Sequence, residues 1–123
     1  RAVRLKEVED EPCVLFDLSI SRRYYKSMFD AVGITPNIVH RANTIEATRS
    51  FVANRLGYSV LTHSIPSLSV FDGKQLAHVP IIDDIPRPRI VCIQHSGLEL
   101  RPVAQAFKTF LVGHFGKLQE DLR

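Results

Sequence analysis

Cys13-Val14-Leu15-Phe16 is a short, continuous apolar run, and together with the fifty residues after it this run decides the fold. A run with no alternation suits a strand buried on both faces, as in a parallel sheet. Glu11-Pro12 ahead of it is a turn signal. Beyond Asp17-Leu18-Ser19-Ile20, Ser21 is placed to cap a helix over residues 22–32, where Tyr25, Met28, Phe29 and Val32 recur at helical spacing. Gly33 stops that helix in the left-handed position. After Pro36, residues 37–41 read as a second strand. Asn43 and Glu46 form a capping pair for a helix from Thr44 to about Asn54, with Ile45, Thr48, Phe51 and Val52 on one face. Leu56-Gly57 ends it, and residues 58–62 read as a third strand. Right-handed crossovers make the three strands of this βαβαβ unit parallel.

Downstream the pattern changes. Residues 64–68 suit a short helical turn started by Ser64 and Pro66. Asp72-Gly73 is a strong turn. Residues 76–81 read as a strand, and Pro80 makes it an edge or crossing strand. Residues 89–94 form another apolar strand. Pro102 opens a last helix with Val103, Ala106, Phe107, Phe110 and Leu111 as its stripe. Gly113 and Gly116 predict a bend rather than a stop, because Leu118 and Leu122 continue the stripe.

At 123 residues the chain is about one domain, and 45 % apolar with 24 % charged residues is an ordinary globular balance. That excludes a disordered tail and a disulfide-dense mini-protein, and no apolar run approaches a membrane span. The formal charge is only +3, and its densest basic points (Arg22, Arg23 and Lys26, then Arg87 and Arg89) are too short for a nucleic-acid arm. Cys13 and Cys92 both sit in apolar runs and are expected to be reduced and buried, with a disulfide the lesser alternative. No zinc spacing and no signal-peptide core occurs, so the cytoplasm is the default compartment. The first residue is Arg and the only Met is Met28, so a piece of a longer polypeptide is expected.

In an open parallel sheet, ligands settle at the carboxyl ends of the strands, where helix N-termini favour anions. Three segments converge there: residues 17–22, 41–44 and 62–64. The candidate ligand-binding residues are Ser19, Ser21, Arg41, Asn43, Thr44 and His63. Each hydroxyl or amide taken alone also serves as a helix cap. Arg41 suits either a two-toothed clamp on a carboxylate or an exposed strand-end charge. Arg22 and Arg23 read as solvated helix-face residues. Among the five histidines no pair has ligand spacing, and no metal or cofactor is expected. For catalysis there is no Gly-x-Ser-x-Gly elbow and no Gly-rich phosphate loop. Asp17 follows a strand but has no adjacent base, and Asp83-Asp84 reads as a solvated loop.

Glu11 to Phe16, Ser21 to Tyr25, Phe29 to Pro36 and Thr44 to Leu61 together resemble LysR-type transcriptional regulators. Val52-Ala53-Asn54-Arg55-Leu56-Gly57 stands where that family turns into a strand, and Pro80, Ile90 to Ile93, Phe107 and Phe110 fit its ending. The resemblance implies a periplasmic-binding-protein-like α/β effector domain, with a small inducer bound between two subdomains joined by crossing strands. Residues 1–76 then look like the second subdomain. Residues 77–123 look like the return crossing strand plus the last strand and helix of the first, which is incomplete. The implied partners are a small organic effector, DNA only through a segment outside this chain, and a second copy in a homo-oligomer, with no membrane.

Two departures stand out. The family usually has Gly where this chain has Arg55, and a left-handed backbone there would strain Arg by roughly 1–2 kcal/mol. The front half of the first subdomain is missing, so an exposed apolar patch or pairing with another copy is expected around residues 89–94 and the last helix. Against the sensor stand two other classes: an enzyme of flavodoxin-like or hydrolase type, which needs a nucleophile–base pair, and a purely structural dimerisation module.

Overall fold

Strand β1 (Pro12–Phe16) and strand β2 (Asn37–Ala42) pair in parallel, each followed by a helix, in a computed structural model that describes residues 2–62, 66–88, 91–97 and 99–121, and of residues 117–121 the backbone only. Helix α1 (Ser19–Ala31) joins the strands and helix α2 (Ile45–Ala53) follows β2. Cys13, Val14 and Leu15 are all buried in succession, as a strand covered on both faces requires. Tyr25, Met28 and Phe29 of α1 pack with Leu5, Leu15 and Ile34 in one core cluster. This parallel α/β plan is the one the sequence predicts.

The helix boundaries shift. Leu18, with extended backbone, is the N-cap of α1, so the helix begins at Ser19. Ser21 is therefore not a cap but lies in the first turn, its hydroxyl donating to the Leu18 carbonyl at 3.2 Å. At α2 the cap is Thr44 rather than Asn43, its oxygen accepting from the Ala47 N–H at 3.1 Å. Glu46 is unavailable for a box with Asn43 because its carboxylate faces Arg49 at 3.1 Å.

The later strands shrink to single bridges. Tyr58 bridges Cys13 in parallel: its N–H donates to Pro12 at 2.8 Å and its carbonyl accepts from Val14 at 2.7 Å. The rest of 59–62 leaves the ladder. Ile81 bridges Val3, because Pro80 has no N–H to give and offers only its carbonyl, to Val3 at 2.9 Å. The turn at Asp72-Gly73 forms as expected, with Gly73 at φ 79° and an antiparallel Ser69–Gln75 bridge around it. Residues 66–68 are not helical, and the start of that predicted turn lies outside the described residues. Asp83 is not solvated: its side chain is 11 % exposed and accepts the Leu5 N–H at 2.8 Å, fixing a 3₁₀ turn over Leu5–Val8.

The chain divides into two compact units, Arg1–Pro88 and Arg89–Arg123. The first holds both strands, α1, α2 and the single bridges. In the second, residues 91–94 form no strand, having no ladder partner among the described residues, and Cys92 is exposed and free rather than buried. Helix α3 (Pro102–Asp121) starts at Pro102 as predicted and runs through both Gly113 and Gly116. Its Val103, Phe107 and Phe110 are exposed, which is the apolar patch expected of this segment.

Candidate functional site at the carboxyl edge of the sheet

The ladder extends one residue past β1, where the Asp17 N–H donates to the Ala42 carbonyl at 2.8 Å. Adjacent parallel strands thus leave the sheet at one edge, and the first turns of α1 and α2 begin there. Ser19, Arg41, Asn43 and Thr44 all belong to this edge and are exposed. Two of the candidate oxygens are already engaged: Ser21 donates to Leu18, and Thr44 caps α2. His63 lies outside the described residues.

Asp17 organises the charges of the edge. Its carboxylate accepts from Arg22 Nε at 2.8 Å and from Arg41 Nη1 at 2.9 Å. The two guanidiniums, Arg22 first, hold the carboxyl below its ordinary range. Arg22 is therefore an ion-pair member rather than a purely solvated residue. One carboxylate answers two cations, and each guanidinium keeps further N–H groups that face no carboxylate among the described residues. Such an arrangement suits accepting an anion better than attacking a bond.

Sequence reasoning missed Arg49. It is buried, and its guanidinium donates to Glu46 and to the carbonyls of Ser67 and Ser69, the latter at 3.0 Å. It ties the 67–69 segment to α2, a positioning role. Its position three residues after Glu46 and beside buried Thr48 was the available signal. The buried Cys13 is no reactive thiol, since burial pushes its pKa up, as it does that of Tyr58 beside it. A cavity of about 610 Å³ opens among Tyr24, Val52, Val60, Thr62, Ile81 and Arg87. None of the five described candidate residues lines it. Among the described residues no cluster of His, Cys, Asp and Glu could hold a metal, and no helix is long and apolar enough to cross a membrane.

Residues 1–116 match the LysR substrate binding domain family. The chain belongs to that family. This LysR domain is 26 % identical over 117 residues to the HTH-type transcriptional regulator YybE of Bacillus subtilis, a match covering 94 % of this chain and 39 % of YybE. It thus spans about two-fifths of that regulator's length. HinK, a LysR family transcriptional regulator from Pseudomonas aeruginosa, is 33 % identical with a TM-score of 0.64, covering 68 % of this chain and 29 % of HinK. The C-terminal domain of a probable LysR regulator from Rhodococcus sp. RHA1 superposes with a TM-score of 0.71 over 90 % of this chain and 55 % of that one, at 24 % identity, which speaks for the fold alone. The LysR domain therefore has the periplasmic-binding-protein-like α/β fold that the residues resemble, and its family consists of effector-binding domains of transcriptional regulators.

Proposed function

We propose that this LysR domain senses a small organic anion at the carboxyl edge of its sheet and relays the binding to a DNA-binding segment outside this chain. The observation that supports it is the shared edge: two helix starts beside the Asp17–Arg22–Arg41 cluster, with Ser19, Asn43 and Thr44 exposed around it. The effector carboxylate takes spare N–H groups of Arg41 and the backbone amides of the first helical turns. Ser21 and His63 belong to the same contact set. Residues 1–76 are read as the subdomain that carries this edge, and residues 77–123 as the returning part of the other subdomain. The relay is the difference in affinity of the effector for two subdomain arrangements. The domain performs no reaction, works as a homo-oligomer and resides in the cytoplasm with the DNA.

A thermal-shift screen of small carboxylates on the full chain tests this. A ligand at about a hundred times its Kd stabilises by about 2.7 kcal/mol and raises the Tm by several degrees. Thr44→Leu should remove that shift while leaving the ligand-free Tm within a few degrees. No stabilising carboxylate, or a shift that survives Thr44→Leu, would rule the reading out.

A further inference from the structure

A β-bulge brings Asp17 and Arg41 onto one face of the sheet. Cys13 pairs with Ile38 but Val14 pairs with His40, so Val39 is an extra residue in β2. Paired residues of neighbouring strands share a face, and faces alternate along each strand. Arg41 consequently stands level with Leu15, whose face Asp17 shares two residues on. An unbroken register would set Arg41 against Phe16, on the other face. The extra residue thus makes possible the contact of Asp17 Oδ2 with Arg41 Nη1 at 2.9 Å, while Oδ1 accepts from Arg22 Nε at 2.8 Å.

Asp17 is a fixed charge. The Ala42 carbonyl holds its N–H at 2.8 Å, and its side chain is only 13 % exposed, whereas both arginines reach into solvent. Arg22 and then Arg41 hold the carboxyl below its ordinary range, so it stays ionised at neutral pH. The other helix start adds no net charge, because Glu46 in the first turn of α2 pairs with the buried Arg49. Two cations against one carboxylate leave the Asp17 cluster with one positive charge.

We propose, resting on the effector reading above, that Asp17 sets the charge of the effector and restricts the edge to monoanions. One ligand carboxylate on the spare N–H groups of the two arginines brings the cluster to neutrality. A second carboxylate on the same ligand gives up water without gaining a cation, and it is repelled by Asp17. Asp17 is thus a specificity residue that acts by exclusion.

Succinate and its monomethyl ester are the probes, since they differ by one charge at nearly equal length and are ionised at about pH 7.5. Each is titrated into the isotope-labelled full chain, and amide shifts are followed at residues 17–22 and 41–44. The parent chain should bind the monoester at least as tightly as succinate. Asp17→Asn keeps the shape and removes the charge, and should turn the preference toward succinate by about fivefold, the size of one exposed ion pair. Should Asp17→Asn lose its dispersed amide spectrum, Arg22→Gln decides. Asp17 then answers Arg41 alone, the cluster is neutral, and the monoester should bind about fivefold more weakly. A parent chain that prefers succinate, a preference that Asp17→Asn leaves unchanged, or undiminished binding to an Arg22→Gln chain overturns the role of Asp17 and leaves the effector reading standing. Edge amides that respond to neither probe in any chain sink the effector reading and this inference together.

Discussion

Gly33 and Arg55 hold the same backbone position, one after α1 and the other after α2. Their φ angles are 68° and 63°. Both ends close with the paired bonds of a Schellman motif: Ile34 N–H to Phe29 and Gly33 N–H to Asp30, then Leu56 N–H to Phe51 and Arg55 N–H to Val52. Only at Gly33 is the left-handed conformation free of the side-chain clash. Arg55→Gly should therefore raise stability by about 0.5–1 kcal/mol, the relieved strain less the added chain entropy of glycine. Gly33→Ala should lower it by about 1 kcal/mol. Urea denaturation at constant slope checks both, and an Arg55→Gly midpoint at or below that of the parent would contradict the strain.

Gly57 has a different reason for lacking a side chain. A Cβ there would come within 2.2 Å of the Pro12 carbonyl oxygen, the same oxygen that accepts the Tyr58 N–H. Gly57→Ala should cost about 2–3 kcal/mol, at the upper end of overpacking. The Val14 amide, which donates to Tyr58, should lose its hydrogen-exchange protection first. Unchanged exchange at Val14 would show that the Tyr58 bridge does not depend on this approach.

Arg49 is the buried charge whose removal should be felt most. Arg49→Met keeps the stem but leaves the Ser67 and Ser69 carbonyls and the Glu46 carboxylate without their donor. A loss of about 2–3 kcal/mol is expected. Lysine cannot serve both carbonyls and Glu46 with one fork, so Arg49→Lys should recover less than half. Limited proteolysis should cut first within residues 66–70, and cleavage elsewhere would deny the tether.

Acid should weaken the sheet edge through Asp17. Its carboxyl is held below the ordinary value by Arg22 and then Arg41. A depressed carboxylate contributes stability that is complete above the unfolded value, near pH 4, and is lost as pH falls through the lower folded value. Denaturation midpoints between pH 5 and pH 2 should thus fall less steeply for Asp17→Asn than for the parent chain. Parallel curves would show that Asp17 adds nothing to folding.

The elements readable from the sequence are those whose partners lie nearby. The apolar run of β1, the spacing of Tyr25, Met28 and Phe29, and the Gly33 stop each carry their own local pattern. The choice between Asn43 and Thr44 as cap was not local, because Glu46 turns to Arg49, and Arg49 in turn is buried by carbonyls that lie 18 and 20 residues downstream. Residues 58–62 and 91–94 look like strands by composition, but a strand needs a neighbour as well as a propensity. That Ser19, Arg41, Asn43 and Thr44 share one edge of the sheet follows from topology alone. The clamp by Asp17 on Arg41, 24 residues away, and the extra residue Val39 leave no periodic trace.

Leu5 and Asp83, joined by a hydrogen bond, stand 78 residues apart in the chain, and Val3 meets Ile81 beside them. A polypeptide emerging from the ribosome cannot fasten this clasp until nearly the whole first unit has been synthesised. Val3 and Leu5 must wait for these two partners while the sheet forms. Clipping the chain ahead of Asp83 would thus release residues 3–5 as well.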